Sequence, residues 1–344
     1  MSKSNISNTD NKARIHVFDF IRAFSFIGIF LVHSFHGYST NVYKYFDLFS
    51  MMCMFSFFFT SGYVIFFSLE RCNWKQFTIK RIFRLLPVLW LIIFITIIGY
   101  FYFQTLPYTK VPVDARTIFA NMFMIQDVFH IPNETRVSRS LIYIPSSWSL
   151  SIELRFYIIS AIAFAFIKNN KHRLYGIILL NTLFSLSYYY IPFRTWGNFG
   201  MCFVMVYYII VGSVFYCYKN NDINKVEFAF FLMLSLLITP KTLDTGYEYN
   251  SMIIGFCFLM LIFCIKDEFW NKKIIKFFSN ISYSFYLLHS VVIYDLRNIL
   301  NTEKLDIKVI LISFFSLIFI CHFIYKYIEK PAYNFGRKLA DKLK

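Results

Sequence analysis

The chain has 344 residues, 58% of them hydrophobic and only 16% charged, whereas a soluble domain sits near half apolar and a quarter charged. Its mean hydropathy is +0.53, and apolar runs near twenty residues, long enough to cross a bilayer core of about 30 Å, recur along it. This excludes a soluble enzyme, and the formal charge of +16 does not argue for nucleic acid, because no basic soluble module is present to carry it.

The pattern predicts an all-α, polytopic transmembrane helical bundle. About ten spans are expected, at roughly 16–38, 45–69, 85–104, 147–167, 173–191, 198–218, 226–240, 249–265, 277–296 and 307–328. Lys and Arg cluster in alternate loops, which places the N- and C-termini in the cytoplasm and lets the basic surface attract anionic lipid headgroups. The division is a cytoplasmic segment 1–15, a transmembrane domain 16–330 with an external loop at about 105–146, and a basic cytoplasmic tail 331–344. The polar first fifteen residues lack the features of a signal peptide, so the first span is expected to stay in the membrane. The seven cysteines form no CxxC pair, and neither a disulfide framework nor a metal site is indicated.

The first span, DFIRAFSFIGIFLVHSFH, carries ionisable groups that a lipid-facing helix would not. Arg22 and His33 are eleven positions apart, about 16 Å along a helix, and point the same way. Asp19 sits one turn before Arg22, and His36 one turn beyond His33. Such groups are costly in hydrocarbon unless they face a protein interior or a water-filled cavity. His33 therefore reads as functional, while His36, near the interface, is equally consistent with a solvated structural role. Arg22 is open between snorkelling to the headgroups and a site, and Asp19 between a favourable charge at a helix N-terminus and a partner for Arg22.

In the second span, Ser61 and Gly62 allow a neighbouring helix to approach closely. Arg81 and Arg84 follow, three apart and on one helix face, where positive charges are expected whatever their role. The external loop is proline-bearing, and its middle, TIFANMFMIQDVF, is apolar enough to lie along the interface as a short helix. The fourth span opens Ser147-Trp148-Ser149-Leu150-Ser151-Ile152-Glu153. Glu153 is about 10 Å below the external surface and His33 about 7 Å, so the two are expected at similar depth. Trp148 reads as an interface anchor. The ninth span holds Tyr283 and His289, the latter also in the outer half.

Taken together, FDFIRAFSFIGIFLVH, FFFTSGYVI, RIFRLLP, SSWSLSIELRFY, ISYSFYLLHSVV and the closing IEKP resemble membrane-bound acyltransferase family 3, the O-acyltransferases of bacterial surface polysaccharides. The order and spacing of these pieces cover nearly the whole chain. Glu153-Leu154-Arg155 departs from the pattern, since many members carry a second acidic residue and then Gln. The resemblance implies acetyl-coenzyme A as acyl donor, with no metal, and a hydroxyl of a polysaccharide or lipid-linked glycan as acceptor. It implies that the residues matching His33, Arg22, Arg81 and Arg84 are essential, and that the setting is a bacterial inner membrane. Expected partners are thus the lipid bilayer, an acyl-coenzyme A and a glycan, with no nucleic acid.

On this reading Arg81 and Arg84 meet the coenzyme A phosphates, and His33 acts as a general base or carries the acyl group transiently. Glu153 would bond the other ring nitrogen of His33 and fix its tautomer. Asp19, His36, Trp148, Ser151, Tyr283 and His289 are candidates to line the site. The competing class is a transporter or flippase of a lipid-linked glycan, which would call for paired halves with broken helices; no such symmetry is visible. A third class is an inert scaffold within a polysaccharide synthesis complex.

Overall fold

A computed structural model describes residues 15–103, 113–125, 142–190, 197–238 and 248–343. The first fourteen residues, most of the external loop and Lys344 lie outside the described residues. Among those described there is no strand. The elements are α1 (His16–Phe35), α2 (Thr40–Leu69), α3 (Trp74–Phe103), the short α4 (Ala115–Met122), α5 (Trp148–Phe166), α6 (Asn170–Tyr190), α7 (Gly197–Lys219), α8 (Lys225–Ile238), α9 (Glu248–Phe263), α10 (Lys273–Leu300), α11 (Ile307–Ile324) and α12 (Lys330–Asp341).

Among the described residues, five stretches are long and apolar enough to cross a bilayer: His16–Phe35, Tyr43–Leu69, Trp74–Tyr102, Pro145–Phe166 and Ile307–Asp341. Their outward faces are greasy. Trp90, Phe94, Ile98 and Phe101 on α3, and Ile312, Phe315 and Phe319 on α11, are all exposed, a density that a water-facing surface rarely carries. At 30 residues, α3 is about 45 Å long and begins eleven residues before the expected span. Pro87 lies inside it, so the basic segment with Arg81 and Arg84 is continuous helix. In the external loop α4 covers the first part of the expected short helix and ends at Met122, with residues 126–129 outside the described residues; it is started by the Asp114 carboxylate accepting from the Thr117 N–H at 2.7 Å.

The tightest crossing joins α2 and α7 through two glycines. A Cβ on Gly62 would stand 1.8 Å from the carbonyl oxygen of Ile209, and one on Gly212 1.9 Å from that of Phe59. Ser213 Oγ donates to the Gly62 carbonyl at 3.1 Å. The small-residue approach expected at Ser61-Gly62 is therefore present, and its partner is α7. Because the obstacle is backbone and cannot rotate away, Gly62→Ala should destabilise the protein by about 3 kcal/mol, the upper range for overpacking. Thermal unfolding in detergent checks this. Gly99→Ala is the control, since a Cβ there meets nothing within 4 Å.

Helix α1 is enclosed by α2 and α10 and gripped at both ends by residues far along the chain. At its start, the Asp267 carboxylate accepts from the backbone N–H groups of His16 (3.1 Å) and Val17 (2.8 Å). Near its end, Arg297 Nη2 donates to the carbonyls of His33 (2.8 Å) and His36 (2.9 Å). Orphan helix-end groups are thus satisfied, and each charge has the sign that the helix dipole favours. After α11 the chain takes a π-helical turn, Tyr325–Glu329, and α12 then runs back along the start of α3. Gly336 meets Phe83, and Gln76 Nε2 donates to the Ala340 carbonyl at 3.2 Å. Residues 330–341 are therefore a docked helix.

Candidate active site

The bundle end that holds the start of α1 and all of α12 is rich in Lys and Arg. There a cavity of about 490 Å³ opens between α1, α2, α3, α10 and the π-helical turn. Asp19, Arg22, Lys80, Arg81, Arg84 and Glu329 line it. A second, narrower cavity of about 40 Å³ lies deeper and shares Arg22, Arg81 and Arg84 with the first. Its remaining polar lining includes Ser25, Ser61, Glu153, Tyr157 and Tyr283. The two form one passage, with the three guanidinium groups at the join.

Among the described residues, none of these three arginines donates a hydrogen bond or forms an ion pair. Arg81 lies over the rings of Phe77 (5.0 Å to the centroid) and Tyr157 (4.9 Å), stacking that leaves its N–H donors available. Asp19 accepts from Ser279 Oγ at 2.9 Å and has His16 Nδ1 at 3.8 Å. Glu329, buried on its π-helical turn, accepts from Ser284 Oγ at 2.8 Å. Three guanidinium groups of like charge thus line one internal space.

Glu153 is buried in the deeper cavity. One carboxylate oxygen accepts from Ser61 Oγ and the other from the Tyr157 hydroxyl at 3.0 Å. The expected hydrogen bond from Glu153 to the His33 ring is not made. Glu153 shares its cavity with Ser25 and Ile29, two turns and one turn before His33, so it sits deeper than the equal-depth expectation. The physical reason is that α5 enters through the 3₁₀ turn Pro145–Ser147. Ser146 and Ser149 in this region are bound to Tyr286 of α10, which fixes how far the helix descends.

His33 is half-buried one turn beyond Ile29. Its ring faces His289 of α10, with centroids 5.3 Å apart and planes tilted by 48°, and Tyr294 at 6.0 Å. His289 is fully buried, between Phe285, Tyr286 and Phe30. Tyr286 also lines the deeper cavity, so the histidine pair lies just past the passage's inner end.

Of the other candidates, Tyr283 is in the passage, its hydroxyl donating to the Leu85 carbonyl at 2.8 Å. Ser151 instead donates to the Met124 carbonyl at 3.0 Å, and Trp148 packs against Phe58 with ring centroids 6.5 Å apart. His36 is exposed, 3.8 Å from the Glu303 carboxylate. These three are outside the passage. Tyr157, Tyr286, Arg297 and Glu329 belong to or support the site and escape the sequence reading. For three of them a signal was available, since Tyr157, Tyr286 and Glu329 stand in the SSWSLSIELRFY, ISYSFYLLHSVV and IEKP segments.

Helices with lipid-facing exteriors around arginine-lined internal cavities and a pair of facing imidazoles define an integral membrane protein. The profile of acyltransferase family 3, described as an acyltransferase domain, matches residues 15–326, and the chain belongs to that family. It is a membrane acyltransferase. No curated protein and no solved structure matches it.

Proposed function

We propose that this chain is an O-acetyltransferase of the bacterial inner membrane, taking acetyl from acetyl-coenzyme A to a hydroxyl of a cell-surface polysaccharide or its lipid-linked precursor. In this reading about ten spans cross the membrane and both termini are cytoplasmic. The observation that carries it is the join of the two cavities, where Arg22, Arg81 and Arg84 face a common space. Coenzyme A is cytoplasmic and polyanionic, and the basic end is the one that the positive-inside rule turns to the cytoplasm.

The arginines would hold the phosphates, leaving the narrower cavity for the pantetheine arm and aiming the thioester past Glu153 toward His33. His33 would accept the proton of the acceptor hydroxyl as the oxygen bonds to the thioester carbonyl carbon. The C–S bond then breaks, and the imidazolium returns the proton to the departing thiolate. The acceptor approaches from the opposite membrane face, near which α1 ends two residues after His33.

The test is to incubate purified protein in detergent with radiolabelled acetyl-coenzyme A and glycans extracted from cells with and without the protein. Label transferred to a glycan in an alkali-labile ester is the expected result. Movement of unmodified glycan across proteoliposomes without labelling would favour the transporter class instead.

A further inference from the structure

Resting on the reading of His33 as the base, we propose that His289 is its positioning partner, in a chain running Phe285 carbonyl, His289, His33, acceptor hydroxyl. The argument begins with His289 Nδ1, 3.1 Å from the carbonyl oxygen of Phe285. A carbonyl only accepts, so Nδ1 carries the hydrogen, and in the neutral ring Nε2 is a bare lone pair. That nitrogen is buried with no hydrogen-bond partner, in a side chain with no exposed surface. Buried polar atoms left unpaired are uncommon, and each asks for an explanation.

Two polar rings adjoin it: Tyr286, whose hydroxyl is held by Ser149 and the Ser146 carbonyl, and His33, whose ring nitrogens make no such bond among the described residues. Two imidazoles joined by an N–H···N bond have centroids about 5 Å apart, given a donor–acceptor separation of about 3 Å. The observed 5.3 Å matches that separation, and the bond needs only a turn of the half-buried His33 ring that brings one nitrogen to face Nε2. The polarity of the chain then leaves no choice. His289 Nε2 can only accept, so His33 must donate from one nitrogen and present a lone pair on the other, the form required of a base toward a hydroxyl. Arg297, holding the backbone carbonyl of His33 at 2.8 Å, fixes the distance over which the ring turns. His289 thus takes the orienting role that the sequence suggested for Glu153, whose oxygens are occupied by Ser61 and Tyr157.

Ring-¹⁵N-histidine labelling of the full chain in nanodiscs tests this without any substrate, with His33→Ala and His289→Phe assigning the two resonances. The expected wild-type spectrum has His289 in the Nδ1–H form and His33 in a single neutral tautomer that becomes mixed in His289→Phe. A His33 signal unchanged by that substitution, or a His289 with hydrogen on Nε2, overturns the proposal. The kinetic arm follows thiol release from acetyl-coenzyme A with water as acceptor. His289→Phe should lower the rate about 100-fold with KM for acetyl-coenzyme A unchanged. His289→Gln, whose side-chain oxygen can replace the Nε2 lone pair, should recover to within about tenfold of wild type. Glutamine no better than phenylalanine, with both proteins folded, also overturns it. Wild-type protein inert toward every donor and acceptor would defeat the acyltransferase assignment of the site, while the nitrogen spectrum would still decide the pairing.

Discussion

His33→Ala should abolish acyl transfer, lowering its rate by about 10²–10⁴-fold, the range that a positioned general base supplies, while the protein is made and inserted as before. The ring contacts His289 and Tyr294 at the edge of the core and does not line the cationic cavity. Donor binding should therefore survive. The measurements are O-acetyl content of the glycan product and, separately, the rise in unfolding temperature produced by acetyl-coenzyme A. Retained acylation would remove His33 from the chemistry, and loss of the thermal shift would mean that the substitution had disturbed the passage as well.

Arg81→Ala/Arg84→Ala should produce the converse pattern. Each guanidinium faces the shared cavity, and a charge-assisted hydrogen bond to an anion is worth about 1.5–3 kcal/mol, or roughly tenfold or more in Kd for each arginine. The double variant should bind coenzyme A about 100-fold more weakly or worse, and the deficit should narrow in high salt as wild-type binding itself is screened. Calorimetry or displacement of a fluorescent coenzyme A analogue reads it directly. An unchanged Kd would return both residues to the ordinary basic fringe of a membrane span.

Much of this site is visible in the sequence, because charge inside an apolar run is conspicuous. Arg22, Glu153 and His289 each interrupt an otherwise greasy helix, and the structure brings Arg22 and Glu153 to one cavity and His289 to His33. The pairing within that set was not visible. Helical spacing gives the height of a side chain on its own helix and nothing of how neighbouring helices slide, so Glu153 was matched to His33 when its hydroxyl partners are on α2 and on its own next turn. Arg297 and Asp267 were hidden for a different reason. Both lie where a span gives way to a loop, and charges there are unremarkable until the fold shows them closing the ends of a helix 250 or more residues earlier. Ser151 and Trp148 drew attention through a shared motif, but on α5 they occupy faces turned away from Glu153.

The π-helical turn gives the chain slack of one residue at the wall of the vestibule. A regular helix advances about 100° with each residue, and the widened ring of Tyr325–Glu329 holds one residue more than a regular turn would. Excise one residue there, and the ring can close as regular helix, leaving Gly336 against Phe83 and Lys330 and Tyr333 in the vestibule wall. A deletion a turn later, between Lys330 and Gly336, has no such slack. It would swing all that follows by about a quarter of a revolution and carry Gly336 away from Phe83.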